Sequence, residues 1–380
     1  MAWIRKAPSG RWRAEWRDPS GRKRSKTLRR KRDAEAFLAQ IEADINRGIY
    51  RDPRGGKTRF GAFAQRWLDE TVHLRPSTRQ RYVGLLRRHI LPRFGDLPLN
   101  AIRPLDVRAF VSDLTAQGLA PSTVRQTFVV LARILKSAEV SELIGRSPAV
   151  GVDLPEARHA EPRFLTAEQV AALADAIDPR YRAVVLLGAY GALRWGELAG
   201  LRCNRLRLLE RKADIRETAI EVGGRLILGP PKTGERTVTL PAFVADELAV
   251  HIARWPDSQG FVFPAPEGGP LRRNNFASRY WVPAVEAAGL GPLRIHDLRH
   301  TGVALAIATG AHPKAIQERL GHASITTTLN VYGHLFASLE ESLAVGLDDA
   351  HRDAAASARS RSEGGRVLPM RPRSTRQPRR

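Results

Sequence analysis

Five short stretches in the second half of the sequence gather residues that bind or attack phosphate: GALRWGELAGL with Arg194, KTGE with Lys232, HDLRHTG with His296 and Arg299, RLGHAS with His322, and TTLNVYGHL with Tyr332. An arginine offers a planar fork of N–H donors to two oxygens at once, and a lysine offers a mobile point charge. A histidine exchanges protons near neutral pH, and a tyrosine supplies an oxygen nucleophile once its proton has gone. Each residue alone has an ordinary explanation as a surface cation, a satisfied polar ring or a packed aromatic. Order and spacing say more. His296 and Arg299 stand three apart on an expected helix and share a face. The Leu320-Gly321-His322 turn follows one helix later, and Tyr332 stands ten residues beyond His322.

In this order the residues resemble the signature of the tyrosine recombinases, the phage integrase family: Arg, Lys, His-x-x-Arg, His and Tyr, filled here by Arg194, Lys232, His296, Arg299, His322 and Tyr332. Neighbouring words agree, with Leu-Arg-x-Gly-Glu-Leu at Leu193–Leu198 and Tyr-x-His at Tyr332–His334, whereas RCNRLRLLERKADI after Leu201 departs from the family's usual run. The resemblance implies a site-specific recombinase that cleaves and rejoins DNA through a 3′ phosphotyrosine, releasing a 5′ hydroxyl, to integrate or excise a phage or mobile element. Tyr332 is the implied nucleophile, Lys232 the implied general acid, and His322 a hydrogen-bond donor to the phosphate.

The chemistry explains why such residues suit the task. A phosphodiester repels nucleophiles through its own negative charge, and the forks of Arg194 and Arg299 can neutralise the non-bridging oxygens in place of a metal ion. No metal or nucleotide cofactor is expected. Tyr332, with an ordinary pKa of about 10, must lose its proton to a base, for which His296 is the candidate. Glu197, one helical turn after Arg194, is expected to support the site by orienting an arginine or histidine. The resemblance further implies a homotetramer on two DNA sites, exchanging strands through a four-way junction, monomeric or weakly associated off DNA, with accessory DNA-bending or excision factors.

Composition agrees with a polyanionic partner. The 380 residues carry a net charge of +23, and neutralising phosphates with Lys and Arg releases condensed counterions. The excess lies at the ends: residues 1–57 hold 17 basic against 7 acidic residues and residues 351–380 hold 9 against 2, so the middle is only mildly basic. Double-stranded DNA is the expected partner, although basic ends can also serve solubility. A single cysteine, Cys203, excludes an internal disulfide and suits a reducing compartment. The opening MAWIRKAPSGRWRAEW is too interrupted by charge for a signal peptide, and the longest apolar stretch, Ala183–Ala192, is too short to span a bilayer. The expectation is a cytoplasmic, nucleoid-associated protein with no membrane partner.

The elements that must carry these residues read as a multidomain chain, mainly α with small β elements. Residues 1–57 are expected to form a three-stranded sheet plus helix, which resembles the arm-type DNA-binding domain of larger members of the family. Turns at Pro8-Ser9-Gly10 and Pro19-Ser20-Gly21 bracket an alternating strand in which Trp12, Ala14 and Trp16 face a helix capped by Asp33 and lined by Ala36, Phe37, Ile41 and Ile45. Its basic residues Arg11, Arg13, Arg17, Arg22, Lys23, Arg24 and Lys26 are the expected DNA contacts. After the RDPRGGKT linker, residues 58–155 show helical periodicity, with starts at Pro76 and Pro121, and resemble the family's helical core-site DNA-binding domain; Arg79 and Arg125 are its candidate phosphate contacts. Residues 163–349 are the expected α+β catalytic domain. In it RLILGPP and RTVTLP form a hairpin with Lys232 near the tip, and Leu335, Phe336, Leu339, Leu343 and Leu347 stripe a last helix that can pack in cis or on a neighbour. Residues 350–380 are expected to be a disordered basic tail.

Three other functions share parts of this pattern. A type IB topoisomerase has the same chemistry but needs no partner site. A Xer-like recombinase that resolves chromosome dimers typically lacks an arm domain, which makes residues 1–57 discriminating. A catalytically inactive DNA-binding regulator would not need all six signature residues.

Overall fold

The structure, a computed structural model, describes residues 2–48, 55–157, 161–321, 323–336 and 340–363. It divides into two compact units, Met1–Ala160 and Glu161–Arg380. Among the described residues no helix is long and apolar enough to cross a membrane.

The first unit opens with an antiparallel sheet of β1 (Ala2–Lys6), β2 (Trp12–Arg17) and β3 (Lys23–Leu28), in the order β1-β2-β3, followed by α1 (Lys31–Asn46). The alternation in β2 puts Ala14 and Trp16 on the covered face, where Ala34, Leu38 and Ile41 of α1 close a small core. The Trp16 ring meets Phe37 edge-on at 5.4 Å. Two details differ from expectation. The helix starts two residues earlier than Asp33, with Arg30 at the N-cap and Asp33 in the first turn, where its charge suits the dipole. Ala36 faces solvent, and Leu38 fills the position assigned to it.

Strand register decides which cations the open sheet face can offer. Paired residues point to the same side, and Ala14 stands opposite Lys26 while Trp16 stands opposite Arg24. Arg24 and Lys26 are therefore on the helix side, contrary to expectation: Arg24 Nε bonds Asp18 Oδ2 at 2.9 Å and Lys26 Nζ lies 4.2 Å over the Phe37 ring. The opposite face carries Arg13, paired with Arg5 and Thr27, and Arg17, paired with Lys23. Glu15 on that face bonds Arg5 Nε at 2.9 Å and so reduces its net charge. Arg11 and Arg22 are exposed in the turns beside β2 and β3.

The helical part of this unit comprises α2 (Phe60–Glu70), α3 (Pro76–Leu85), which runs through a π-type turn at Leu86–Ile90 into α4 (Leu91–Phe94), α5 (Pro104–Ala116) and α6 (Pro121–Val140). Proline begins α3, α5 and α6, where a missing N–H costs nothing. The helical stripes meet in a core that includes Phe60, Ile90, Phe94, Phe110, Leu131 and Leu135. Arg79 is exposed but paired with Asp69 at 3.1 Å, and exposed Arg125 bonds the Pro155 carbonyl at 3.2 Å. Residues 51–54 of the expected linker lie outside the described residues.

The second unit contains α7 (Ala167–Ala176), α8 (Arg182–Tyr190), α9 (Trp195–Ala199), β4 (Leu206–Arg207), β5 (Lys212–Ile215), β6 (Thr218–Val222), β7 (Arg225–Gly229), β8 (Arg236–Thr239), α10 (Ala242–Arg254), α11 (Arg273–Phe276), α12 (Val282–Ala287), α13 (Asp297–Ala308), α14 (Pro313–Leu320), α15 (Ile325–Phe336) and α16 (Glu340–Glu363). Helix α8 is buried from Ala183 to Ala189 and forms the spine of the core. Helix α13 crosses it so closely that a Cβ on Gly302 would collide with the Ala189 carbonyl oxygen.

The expected hairpin is not made. β7 pairs with β6, Ile227 opposite Ile220, across Gly223 and Gly224, whose φ angles of 58° and 75° suit a tight two-residue turn. β8 pairs instead with β5, in a sheet of order β4-β5-β8. The Gly-Gly turn is shorter than the Pro-Pro-Lys-Thr-Gly-Glu connection and suits a tight hairpin, so Lys232 lies on a loop between two sheets. The tail also departs from expectation. Helix α16 continues to Glu363, through an alanine-rich stretch of high helix propensity with Arg352 bonded to Asp349 at 3.0 Å. Residues 364–380 lie outside the described residues.

Candidate active site

The loop after α8 is the first part of the site. Gly191 and Ala192 turn the chain, with Ala192 in the left-handed region at φ 53°, and Arg194 then caps α9. Glu197, in the first turn of α9, accepts from the Arg194 backbone N–H at 2.9 Å and from its Nη1 at 3.0 Å. Glu197 is only 2% exposed, yet it serves more than one arginine. Arg236, the first residue of β8, gives it a two-pronged contact, Nη1 to Oε1 at 2.9 Å and Nη2 to Oε2 at 2.7 Å. Arg299 Nη1 stands 4.0 Å from Oε2. Burial alone would push this carboxyl up, but the Arg236 and Arg194 contacts together outweigh it and hold the pKa down at about 2.

Arg299 comes from the first turn of α13 and is 3% exposed. Two main-chain carbonyls hold its fork, Ala192 O at 2.6 Å from Nη1 and Leu320 O at 2.8 Å from Nη2. Burial and then the neighbouring Arg194 charge bring its pKa down to about 9, which leaves it charged at neutral pH. The close crossing at Gly302 is what brings α13 within reach of the Ala192 carbonyl on the chain that leaves α8.

Helix α14 ends at Leu320, and Gly321 leaves it at φ 65°, a conformation that suits glycine. Gly321 sits against Thr233 and Arg236, so the turn touches the Lys232 loop. Thr233 accepts from Arg194 Nη1 at 3.0 Å, and Lys232 beside it is exposed. Arg319 bonds the Tyr190 carbonyl, and its Nη1 donates to Thr239 O at 2.9 Å, which ties the end of α14 to both α8 and β8. His322 lies outside the described residues.

Tyr332 projects from α15 and is 3% exposed. Burial pushes its pKa up to about 12, while the Arg299 and Arg194 charges pull the other way, so both guanidiniums act on the same phenol. Its hydroxyl lies 2.7 Å from Nδ1 of His300, a half-buried residue that was not expected in the site. His296, expected to take the tyrosyl proton, is one ring further off: it caps α13 and meets His300 edge-on, with ring centroids 4.8 Å apart. Protein mass behind it and the charges of His300, Arg299 and Arg194 lower its pKa to about 4. One edge of His296 is open to solvent, which moderates that displacement, and the ring is neutral at pH 7 either way.

Arg194, Glu197, Arg299 and Tyr332 thus converge from three regions distant in sequence, with the Lys232 loop beside them. Arg236, His300 and Arg319 were missed. Two of them left a signal: Arg236 is in phase with buried Val238 and Leu240 along an alternating strand, and His300 stands i+4 from His296 on one helix face. Of the expected final stripe, Leu335 and Phe336 pack against the Tyr332 cluster and Leu347 is exposed. Leu339 and the side chain of Leu343 lie outside the described residues.

The sequence matches the model of the phage integrase family over residues 163–338, that of a phage integrase N-terminal SAM-like domain over 59–115, and that of a phage integrase N-terminal domain over 2–47. It is 32% identical to a prophage phiRv2 integrase of Mycobacterium tuberculosis, an alignment that covers 87% of this chain and 90% of that protein. The chain belongs to the phage integrase family of tyrosine recombinases. It is a site-specific DNA recombinase that cleaves and rejoins strands through a 3′ phosphotyrosine, of the kind carried by phages and mobile elements. The integrase of Mycobacterium phage L5 is 28% identical over 83% of this chain and 89% of its own length. The recombinase shares its fold with the Tn1549 transposon integrase, solved with transposon right-end DNA (TM-score 0.66, 20% identity, 76% of this chain and 100% of that one). It also resembles a lambda integrase dimer bound to a core site (TM-score 0.58, 18% identity, 87% and 93%).

Proposed function

We propose that Tyr332 is the nucleophile of this recombinase and that Arg194 and Arg299 hold the scissile phosphate in line with it. The observation that carries this reading is that both guanidinium charges act on the Tyr332 hydroxyl while Glu197 ties Arg194 to Arg236 beside them. Cations already in place lower the cost of charge building on the phosphate oxygens as the tyrosine attacks. Lys232, on its exposed loop, protonates the departing 5′ oxygen, and His322 donates to the phosphate. The bond energy is kept in the phosphotyrosine, so strand exchange needs no ATP. The partner is double-stranded DNA. Residues 58–155 grip the core site and the open face of the N-terminal sheet, with Arg13, Arg17 and Lys23, takes arm-type sites. A lambda integrase tetramer has been solved on a Holliday junction, and this chain acts on DNA as a homotetramer in the same way, at the nucleoid and with accessory DNA-bending or excision factors.

A suicide substrate with a nick beside the cleavage position tests the assignment. The wild-type chain is expected to accumulate a covalent adduct whose mapped peptide carries DNA on Tyr332, while Tyr332→Phe binds the site and forms none. An adduct on any other residue, or one made by Tyr332→Phe, overturns the assignment.

A further inference from the structure

We propose that His300 is the residue that takes the proton of the attacking tyrosine and returns it when the strand is rejoined. The proposal rests on the reading of Tyr332 as nucleophile and adds to it a proton acceptor from outside the six-residue signature.

Contact comes first. His300 Nδ1 is 2.7 Å from the Tyr332 oxygen, the distance of a direct hydrogen bond. A neutral imidazole with its hydrogen on Nε2 presents Nδ1 as an acceptor, so the phenol donates along the path its proton would leave by. A base in direct contact with a weak nucleophile is the usual arrangement for activating it.

Helix geometry explains why this histidine is the one in contact. Arg299 and His300 are consecutive on α13 and so point about 100° apart. That angle sends Arg299 to the Ala192 and Leu320 carbonyls and His300 to α15. His296, one turn earlier, reaches the His300 ring edge rather than the phenol.

The charged surroundings allow the proton to arrive and leave. Asp297, on the same turn, is buried, and its charge favours an imidazolium at His300; Arg294, which chelates Asp297, and Arg299 oppose it, as does burial. The balance lowers the His300 pKa, so the ring is neutral and able to accept at pH 7. From the other elements Arg194 acts on Tyr332 and on His296. The His334 ring on α15 lies against Phe164, which also touches Tyr332. A phenol buried enough to have a pKa near 12 gives up its proton at neutral pH only to an acceptor already in contact.

The step balances. The Tyr332 proton passes to His300 Nδ1, an oxygen lone pair forms the bond to phosphorus, and the bond from phosphorus to the 5′ oxygen breaks. That oxygen leaves with the electron pair and takes a proton from the Lys232 ammonium. Rejoining runs the same transfers backwards, with His300 reprotonating the tyrosine.

Single-turnover adduct formation on the nicked substrate, followed from about pH 6 to pH 9, tests this, with binding checked by gel shift. General acid–base catalysis contributes about 10²–10⁴-fold, so His300→Ala is expected to slow cleavage at pH 7 by that factor. Its rate should climb close to tenfold per pH unit, because only spontaneously ionised tyrosine then reacts, whereas the wild-type rate levels off. His300→Asn can still accept the hydrogen bond but cannot hold a proton, and is expected to stay as slow as His300→Ala. Recovery in His300→Asn would reduce His300 to a positioning residue and overturn the proposal, as would a His300→Ala rate lowered equally at every pH. His296→Ala is expected to be slower than wild type with the same levelling profile; a climbing profile there would move the proton to His296. Tyr332→Phe, run alongside, separates the two claims: an adduct in that variant refutes the nucleophile, while failure of the histidine results alone leaves the nucleophile standing.

Discussion

Glu197 is ionised at a depth where a lone carboxyl would be neutral, and the reason is the arginines around it. Holding a carboxyl from its ordinary 4.5 down to about 2 is worth about 3 kcal/mol of folding stability. Because the folded value is the lower one, that stability is present in full above pH 4.5 and is lost as pH falls through 4.5 toward 2. Glu197→Gln leaves Arg236 and Arg299 buried without their counter-charge, so denaturant unfolding at pH 7 is expected to show a loss of about 3–5 kcal/mol. The gap between the two proteins should close as pH falls below 4.5. His296 adds a second, higher window: its folded pKa is lowered from the ordinary 6.5, so the unfolded chain binds a proton first and stability declines as pH falls below 6.5, by less than full burial would give because one edge of the ring is open to solvent. Arg236 tests the pairing geometry itself. Arg236→Lys keeps the charge but not the fork, and groups that orient a reacting shell typically contribute 10–100-fold. Single-turnover cleavage should fall by about that factor with site binding unchanged; a rate within a few-fold of wild type would mean that the fork on Glu197 is not needed for catalysis.

At the scale of elements, the site depends on how closely α13 crosses α8. The glycine at 302 permits the approach, and the approach lets Arg299 reach the Ala192 carbonyl. Gly302→Ala must push the helices apart, at a stability cost of about 1–3 kcal/mol for overpacking. It must also move Arg299 and His300 together, and a displacement of about 1 Å in a positioned group can cost about 100-fold in rate. Thermal unfolding and single-turnover cleavage are therefore expected to fall together, although residue 302 touches no DNA in the proposed mechanism. Retention of full cleavage in a destabilised Gly302→Ala protein would show that the site tolerates motion of α13. The strands teach a different lesson about elements. Which neighbour β7 takes was decided by two glycines in the left-handed region rather than by alternation, which β6, β7 and β8 all share.

For the whole molecule the governing quantity is charge, and its distribution matters more than its sum. The net +23 predicts DNA affinity that falls steeply with salt, by about 0.9 logarithmic units per tenfold salt for each phosphate engaged. The open sheet face offers Arg5, Arg13, Arg17 and Lys23, while Arg24 and Lys26 are turned to the helix. Deleting residues 1–57 is therefore expected to lower the slope on full-length sites, with about 3–4 of the loss coming from these four cations, and to impair integration there. Cleavage of a short core site should be spared. An unchanged slope in the deletion, measured by titration at several salt concentrations, would remove the arm-binding role. Arg24→Ala is expected to leave that slope unchanged.

Much of this recombinase was legible in one dimension. Helix stripes such as Phe60, Phe63 and Leu68, the alternation of Ala14 and Trp16, and the prolines that begin α3 and α6 report local periodicity, and local periodicity is a property of the chain itself. The order Arg194, Lys232, His296, Arg299, His322 and Tyr332 carried the resemblance to the tyrosine recombinases, because residue types and their order are written in the sequence. What the sequence left open were choices between equivalent partners. Whether RLIL paired forwards or backwards, whether Arg24 faced solvent or α1, and whether His296 or His300 met the tyrosine depended on register and helix crossing. Those are set by contacts between residues far apart in the chain. Burial then turned Glu197 from a supporting residue into the shared counter-charge of the site, because Arg236 and Arg299, nearly closed off from water, have no solvent to take its place.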